Sequence, residues 1–226
     1  MSTSAPIATT TRRGAVAVWP LVIACILIAL GFAGLLAPSV HAFDIRILMA
    51  MRHPADPAQL LGPHWLQDGL RDFMGLGGIG VLVLFIAAGL ILLWLAGRRR
   101  DAGWFLGGVI GAFIIASVLK HVIARPRPEL IPHETYVFTA SFPSGNTLMA
   151  TVVWLLLALA LTDGTGKRML RDFAVLVALA IAFAVGATRV YMGVHWPSDV
   201  IEAWGLGIGW VWLLRYFGGT RLNAPR

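Results

Sequence analysis

The sequence predicts an all-α membrane protein, a bundle of six transmembrane helices in a single domain that spans residues 1–226. Hydrophobic residues make up 58% of the chain and charged residues 13%, and the mean hydropathy is +0.78. Soluble domains carry about a quarter charged residues, so this balance indicates a lipid environment. The apolar residues form six continuous runs, at residues 14–37, 75–97, 102–119, 147–161, 173–187 and 200–217.

Continuous apolar runs predict helices, because the strands of a membrane barrel alternate apolar and polar residues. About 20 apolar residues cross a bilayer, so the fourth and fifth runs need their flanking residues in order to span it. The length then leaves no room for a large soluble domain. Glycines four residues apart in the third and sixth runs predict close helix packing within the bundle, at Gly103, Gly107, Gly111, Gly205 and Gly209.

The first run, which follows Arg12 and Arg13, has two interpretations. It is longer than the apolar core of a signal peptide, which has about 7–15 residues, so we expect a retained membrane anchor. A cleaved signal peptide is the alternative, because Val40-His41-Ala42 is compatible with a cleavage site.

A long connection runs from Asp44 to Arg71 after the first span. Apolar side chains lie among the charges near its end, at Trp65, Leu66, Leu70 and Phe73. This mixture is typical of an interfacial helix that lies on the bilayer surface. An ordinary loop that caps the spans is the alternative.

The basic residues predict the orientation of the chain. The net charge is +7, but these residues fall in short clusters between apolar runs, which excludes a nucleic-acid-binding face. With the N-terminus in the cytoplasm, 11 of the 18 Lys and Arg residues lie inside: Arg12, Arg13, Arg98, Arg99, Arg100, Lys167, Arg168, Arg171, Arg215, Arg221 and Arg226. The other seven lie outside: Arg46, Arg52, Arg71, Lys120, Arg125, Arg127 and Arg189. Both termini are therefore predicted to be cytoplasmic.

Three polar clusters lie at the ends of spans on the predicted outer side. They are Lys120 with Arg127-Pro128, then Pro143-Ser144-Gly145-Asn146, and finally Thr188-Arg189 with His195 and Asp199. A single cation at a span end is usually an orientation charge, and a Ser-Gly pair before a helix is usually a cap. Three such clusters on one face predict a functional site within residues 120–199.

The residue types in these clusters predict an oxyanion site. Lys120, Arg127 and Arg189 supply positive charge, and arginine can fork onto two oxygens of one phosphate. Ser144 and Gly145 precede the fourth span, where the free N–H groups and the dipole of a helix favour an anion.

His195 is the candidate nucleophile. Because Pro197 disfavours helix in the residue before it, we expect the last helix to begin near Pro197 and His195 to lie on the loop above. Asp199 then falls in the first turn, within reach of the imidazole. A carboxylate that holds one ring nitrogen fixes the tautomer and leaves the other nitrogen free to attack.

These three clusters resemble the three motifs of the type 2 phosphatidic acid phosphatase family, and the spacing within each motif is kept. The resemblance implies that Lys120, Arg127 and Arg189 bind phosphate, with Ser144 and Gly145 as hydrogen-bond donors. His195 would form a phosphohistidine that water hydrolyses, and Asp199 would orient it. The resemblance implies no metal and no cofactor.

Asn146 departs from the family pattern, since a histidine that protonates the leaving group normally follows Ser-Gly. General acid catalysis is worth about 10²–10⁴-fold. One alternative is that Asn146 is an inactivating change that retains binding. Another is that the substrate is a diphosphate, because its leaving phosphate has a pKa of about 6 and needs little protonation. The third alternative is that His121 or His133 replaces the missing acid.

The resulting hypothesis is a lipid phosphatase of a bacterial inner membrane that hydrolyses a lipid phosphate or diphosphate at its outer face. Its partners would be that lipid substrate and the surrounding bilayer lipids. A lipid phosphotransferase and a non-catalytic lipid-phosphate-binding protein are the alternatives. The sequence does not specify which lipid is bound, nor the oligomeric state.

The orientation is checked with alkaline phosphatase fusions, which are active only outside the cytoplasm. A fusion after residue 135 is expected to be active and a fusion after residue 165 inactive, because the two positions lie on opposite sides of the fourth span. The reverse pattern would contradict the orientation.

Overall fold

Eight helices and one hairpin make up the described part of the computed structural model, which covers residues 17–130 and 139–218. The helices are α1 (Trp19–Leu36), α2 (Pro38–Ala50), α3 (His64–Gly75), α4 (Ile79–Leu95), α5 (Arg99–Ile123), α6 (Gly145–Thr162), α7 (Arg168–Tyr191) and α8 (Pro197–Gly218). The antiparallel hairpin pairs β1 (Arg52–His53) with β2 (Asp56–Leu60).

The described helices include four that are long and apolar enough to cross a bilayer, namely α1, α5, α6 and α7. α3 and α4 meet the same requirement only together, as one span bent by 46°. α8 coincides with the sixth apolar run, but its charged residues and its glycines lower its hydropathy. A mostly helical membrane protein is therefore confirmed, whereas six crossings remain a prediction.

α6 is the central helix of the bundle. Within its apolar window 56% of residues are buried inside the protein, against 17% in α1. Its apolar side chains form one core with α5, α7 and α8, which contains Leu148, Val152, Leu155, Ala112, Ala178 and Ala203. The N-terminus of α6, which carries the Ser144-Gly145 pair, is thereby fixed among the ends of the neighbouring helices.

α1 packs closely along α8 because both helices have glycine at the contact. A Cβ atom on Gly205 of α8 would lie 2.9 Å from the backbone nitrogen of Ile28 and 3.0 Å from the carbonyl oxygen of Ala24. Gly31 and Gly34 of α1 face Glu202 and Ser198 in the same way. The expected close packing therefore holds for Gly205, whereas Cβ atoms on Gly103 and Gly107 of α5 would meet nothing within 4 Å.

The connection after the first span is more structured than the sequence indicated. It contains the end of α2, the hairpin and α3, and the hydroxyl of Tyr191 in α7 donates to the carbonyl of Leu61 at 2.6 Å. The helix expected near its end is α3, where Trp65 is 73% exposed and Phe73 is 49% exposed. Its location on a bilayer surface remains a prediction.

The α1–α8 contact predicts that Gly205→Leu destabilises the protein. The added side chain would overlap the α1 backbone, and overpacking of this kind costs about 1–3 kcal/mol. Gly107→Leu is the matched control, because its added side chain meets open space. Thermal unfolding in detergent should show a lower midpoint for Gly205→Leu alone, and equal midpoints for the two variants would contradict the packing.

Candidate active site

Three segments of the chain meet at one end of the bundle, where α5 ends, α6 begins and α7 leads into α8. The backbone N–H of Ser144 donates to the carbonyl of Asp199 at 3.1 Å, which joins α6 to α8. The Lys120 side chain at the end of α5 lies against Gly145, with Cε 3.4 Å from the position that a Cβ would take. These contacts bring the three polar clusters of the sequence together.

Asp199 holds the loop that carries His195. α8 begins at Pro197, so Asp199 lies in its first turn, as the sequence predicted. Its Oδ2 accepts hydrogen bonds from the backbone N–H of Trp196 at 3.0 Å and from the Ser141 hydroxyl. The same oxygen lies 3.5 Å from Nδ1 of His195, whose Nδ1 is also 3.3 Å from the Ser141 hydroxyl. The carboxylate therefore favours a proton on Nδ1.

His195 is a neutral base in this environment. Its side chain is 2% exposed, and burial lowers the pKa of its imidazole to about 3, although Asp199 acts in the opposite direction. The nearby charges of Arg127 and Arg189 lower the pKa further. Nε2 lies 3.2 Å from Nη1 of Arg127. With the proton on Nδ1, Nε2 is unprotonated and its lone pair accepts from Arg127.

Arg127 is held in place by backbone carbonyl groups. Its Nε donates to Thr139 at 2.8 Å and its Nη1 donates to Val194 at 2.6 Å. Burial lowers the pKa of the guanidinium, but arginine stays charged at any physiological pH. Arg127 is thus a fixed positive charge beside the His195 ring.

Arg189 is a buried cation with unused hydrogen-bonding capacity. The residue is 6% exposed, and its Nη1 lies 3.1 Å from Sδ of Met74, which is a weak acceptor. Its Nε has no hydrogen-bond partner within residues 17–130 and 139–218. A buried donor without an acceptor is costly, so an anion with several oxygens is the ligand that this position favours.

Lys120 and Ser144 make contacts that the sequence did not indicate. The Lys120 ammonium donates to the carbonyl of Ala140 at 2.5 Å. Ser144 is the N-cap of α6, and its hydroxyl pairs with the Thr147 hydroxyl at 2.8 Å. The N–H groups at Gly145 and Asn146 lie in the first turn of α6, where no intrahelical acceptor exists, and such groups favour an anion.

Asn146 is partly exposed and follows Gly145 in the first turn of α6. Of the two histidines considered as substitutes for an acid, one lies in the described residues. His121 is exposed on α5 and its Nδ1 lies 2.9 Å from the carbonyl oxygen of Ser117, one turn back. His133 lies outside the described residues.

Two further residues belong to the site, although the sequence did not single them out. Ser141 supports both Asp199 and His195, as described above. Arg125, which the sequence assigned to the outer orientation charges, is 6% exposed and pairs with Oδ1 of Asp199 at 2.5 Å. The sequence did contain a signal for Arg125, because Arg125-Pro126 repeats the Arg127-Pro128 dipeptide. Within the described residues, no three His, Cys, Asp or Glu side chains form a metal-binding group.

Residues 101–222 match the sequence model of the PAP2 superfamily. The chain belongs to this superfamily. The matched region contains all three polar clusters, so the family resemblance drawn from their residues is confirmed.

Similar proteins agree with this assignment. Phosphatidylglycerophosphatase B of Bacillus subtilis (strain 168) is 29% identical over 194 residues, which cover 81% of this chain and 89% of that protein. Undecaprenyl-diphosphatase of Sulfolobus acidocaldarius is 29% identical over 149 residues, covering 64% and 66% respectively. The crystal structure of a PAP2 type phosphatidylglycerolphosphate phosphatase from Bacillus subtilis has a TM-score of 0.76 at 23% identity, covering 91% of this chain and 98% of that one. That likeness shows a shared fold.

Because Nε of Arg189 has no acceptor in the described residues, we predict that Arg189→Lys binds an oxyanion more weakly than the unmodified protein does. Lysine keeps the charge but loses the forked donors, so affinity for orthovanadate, a phosphate mimic, should fall about tenfold or more. The control is Arg168→Lys at the other end of α7, where the side chain is 86% exposed. Equal orthovanadate affinity of the two variants, measured by calorimetry, would contradict the role of Arg189.

Proposed function

We propose that this protein is a membrane lipid phosphatase that hydrolyses a lipid phosphate or diphosphate through a phosphohistidine at His195. The observation that supports the proposal most strongly is the environment of that imidazole. It is neutral, its Nδ1 faces the carboxylate of Asp199, and its Nε2 faces Arg127. A nucleophile for phosphorus needs this combination of a free lone pair and adjacent positive charge.

The proposed reaction has two steps. Lys120, Arg127 and Arg189 bind the phosphate oxygens, together with the N–H groups at the start of α6. Nε2 of His195 then forms a bond to phosphorus while the bond from phosphorus to the leaving oxygen breaks. In the second step water attacks phosphorus, the N–P bond breaks, and inorganic phosphate and neutral His195 are released. Asp199 stabilises the positive charge on the ring between the two steps.

A lipid substrate follows from the location of the site. The phosphate-binding residues lie at the ends of apolar helices, so a phosphate bound there would leave its acyl or prenyl chains beside the hydrophobic surfaces of the spans. The matched relatives are named for phosphatidylglycerophosphate and undecaprenyl diphosphate, which both combine a phosphate with a long apolar tail. With both termini in the cytoplasm, the site faces the outer side of a bacterial inner membrane.

Asn146 determines which substrates such a site can process. Its amide is no general acid, and Nδ1 of His121, the alternative acid, lies against the carbonyl oxygen of Ser117 in its own helix. A lipid alcohol is a poor leaving group, since even water has a pKa of roughly 15.7. A diphosphate releases a phosphate that needs little protonation. Asn146 therefore favours either a diphosphate substrate or a protein that binds lipid phosphates without turnover.

Phosphate release from three lipids tests the proposal. Phosphatidic acid and phosphatidylglycerophosphate should be cleaved about 10²–10⁴-fold faster by Asn146→His than by the unmodified protein, because the substitution supplies the missing acid. Undecaprenyl diphosphate should gain much less from the substitution. Adding His195→Ala to Asn146→His should abolish release from all three.

His121→Asn is the matched control, because it removes an exposed histidine next to Lys120 on α5 and is expected to change no rate. Full activity of the Asn146→His, His195→Ala double variant would overturn the assignment of the nucleophile. Absence of phosphate release from every form, combined with retained orthovanadate binding, would instead support the lipid-phosphate-binding alternative.

A further inference from the structure

Arg125 connects two buried carboxylates from distant parts of the chain. Its Nη1 pairs with Oδ1 of Asp199 at 2.5 Å, and its Nη2 pairs with Oδ2 of Asp44 in α2 at 3.1 Å. The exposed fraction is 6% for Arg125, 2% for Asp44 and 0% for Asp199. Charges buried to this extent are stable only as a paired set.

The same two nitrogens of Arg125 make further contacts with the protein. Nη1 donates to the Ser198 hydroxyl at 2.8 Å, and Nη2 contacts the carbonyl of Gly34 at 3.2 Å and Nδ1 of His41 at 3.3 Å. Its guanidinium also lies 5.4 Å from the centre of the Trp196 ring. Arg125 therefore differs from Arg189, which has a free donor, and its role is not phosphate binding.

Asp44 extends this network to the start of α8. Its Oδ1 accepts from the backbone N–H of Ser198 at 2.9 Å, and its Oδ2 accepts from the Ser198 hydroxyl. An acidic side chain at this position stabilises the N-terminus of a helix. Asp44 lies outside the region 101–222 that matches the family. A residue of α2 thus holds the helix turn that carries Asp199.

We propose that Arg125 and Asp44 are positioning residues for His195, and that they act by keeping Asp199 ionised and correctly oriented. This inference rests on the proposed function. Arg125 occupies Oδ1 of Asp199, so Oδ2 is left for Ser141, Trp196 and the imidazole. An ionised Asp199 holds the proton of the ring on Nδ1 and leaves Nε2 free to attack.

The charges explain why both carboxylates matter. Without Arg125, Asp44 and Asp199 would be two uncompensated buried carboxylates, and one of them would take up a proton. A protonated Asp199 donates to the imidazole instead of accepting from it, which moves the ring proton to Nε2 and removes the nucleophilic lone pair. Removing Asp44 as well returns the formal net charge of the buried group from −2 to −1, its value in the unmodified protein, so Asp199 can stay ionised and accept.

Arg125→Gln and the double variant Arg125→Gln, Asp44→Asn test this inference, in the Asn146→His form with the lipid that it cleaves fastest. Arg125→Gln should lower kcat about 10–100-fold, an effect typical of losing a residue that orients a group of the active site. KM should stay within about threefold, because Arg125 binds no substrate. The double variant should recover part of kcat, since the net charge of the buried group returns to its value in the unmodified protein.

A second measurement does not need turnover. The nitrogen chemical shifts of His195, assigned by comparison with His195→Gln, report which ring nitrogen carries the proton. The expected result is an Nδ1 proton in the unmodified protein, its loss in Arg125→Gln and its return in the double variant. Arg215→Gln is the matched control, because it breaks a partly buried ion pair with Asp163 far from His195 and should leave kcat and the shifts unchanged.

These outcomes separate a positioning role from a structural one. A double variant that is slower than Arg125→Gln, or identical His195 shifts in all forms, would overturn the inference. If no form releases phosphate, the proposed function fails and the nitrogen shifts alone decide the role of Arg125. If Arg125→Gln does not fold, Arg125→Lys replaces it. Lysine keeps the charge but lacks the fork that pairs with both carboxylates, so a smaller loss of kcat is expected, and unchanged kcat with unchanged His195 shifts would overturn the inference.

Discussion

The ion pair between Arg125 and Asp199 fixes the geometry on which the whole site depends. Asp199 has no exposed surface, and a carboxylate in that position is stable only with cationic and N–H partners. Arg125 supplies the charge, while the backbone N–H of Trp196 and the Ser141 hydroxyl supply hydrogen bonds. The position of His195, four residues earlier in the chain, follows from these contacts. The α1–α2 segment joins the same network through Asp44.

The basic residues at this end of the bundle fall into two classes, those that pair with a carboxylate and those that do not. Arg125 is neutralised by carboxylates, and all of its described contacts are with protein groups. Lys120, Arg127 and Arg189 have no carboxylate partner among the described ion pairs, and their hydrogen bonds go to carbonyl groups, to sulfur and, for Arg127, also to the His195 ring and the Thr139 hydroxyl. Three cations without a carboxylate partner make the surroundings of the neutral imidazole electropositive, which favours an anion there.

Local patterns in the sequence were sufficient for much of this architecture. Apolar runs located the helices α1 and α4 to α8, and Pro197 located the start of α8, because these features depend on neighbouring residues. The hairpin and α2 were not predicted. Their sequences are short and of mixed polarity, and they are stabilised by contacts with distant segments, such as that between Tyr191 and Leu61.

The sequence by itself determined the membrane class, the family, and the cations and imidazole of the candidate site, because residue type and local spacing carry that information. It also showed that Asn146 stands where the family pattern has a histidine acid. Only the tertiary structure distinguished Arg125 from Arg127, two identical side chains two residues apart in the same Arg-Pro repeat. One faces two carboxylates and the other faces the imidazole of His195. Asp44 and Asp199 lie 81 and 74 residues from Arg125, and such distant pairing is set by helix packing rather than by local sequence.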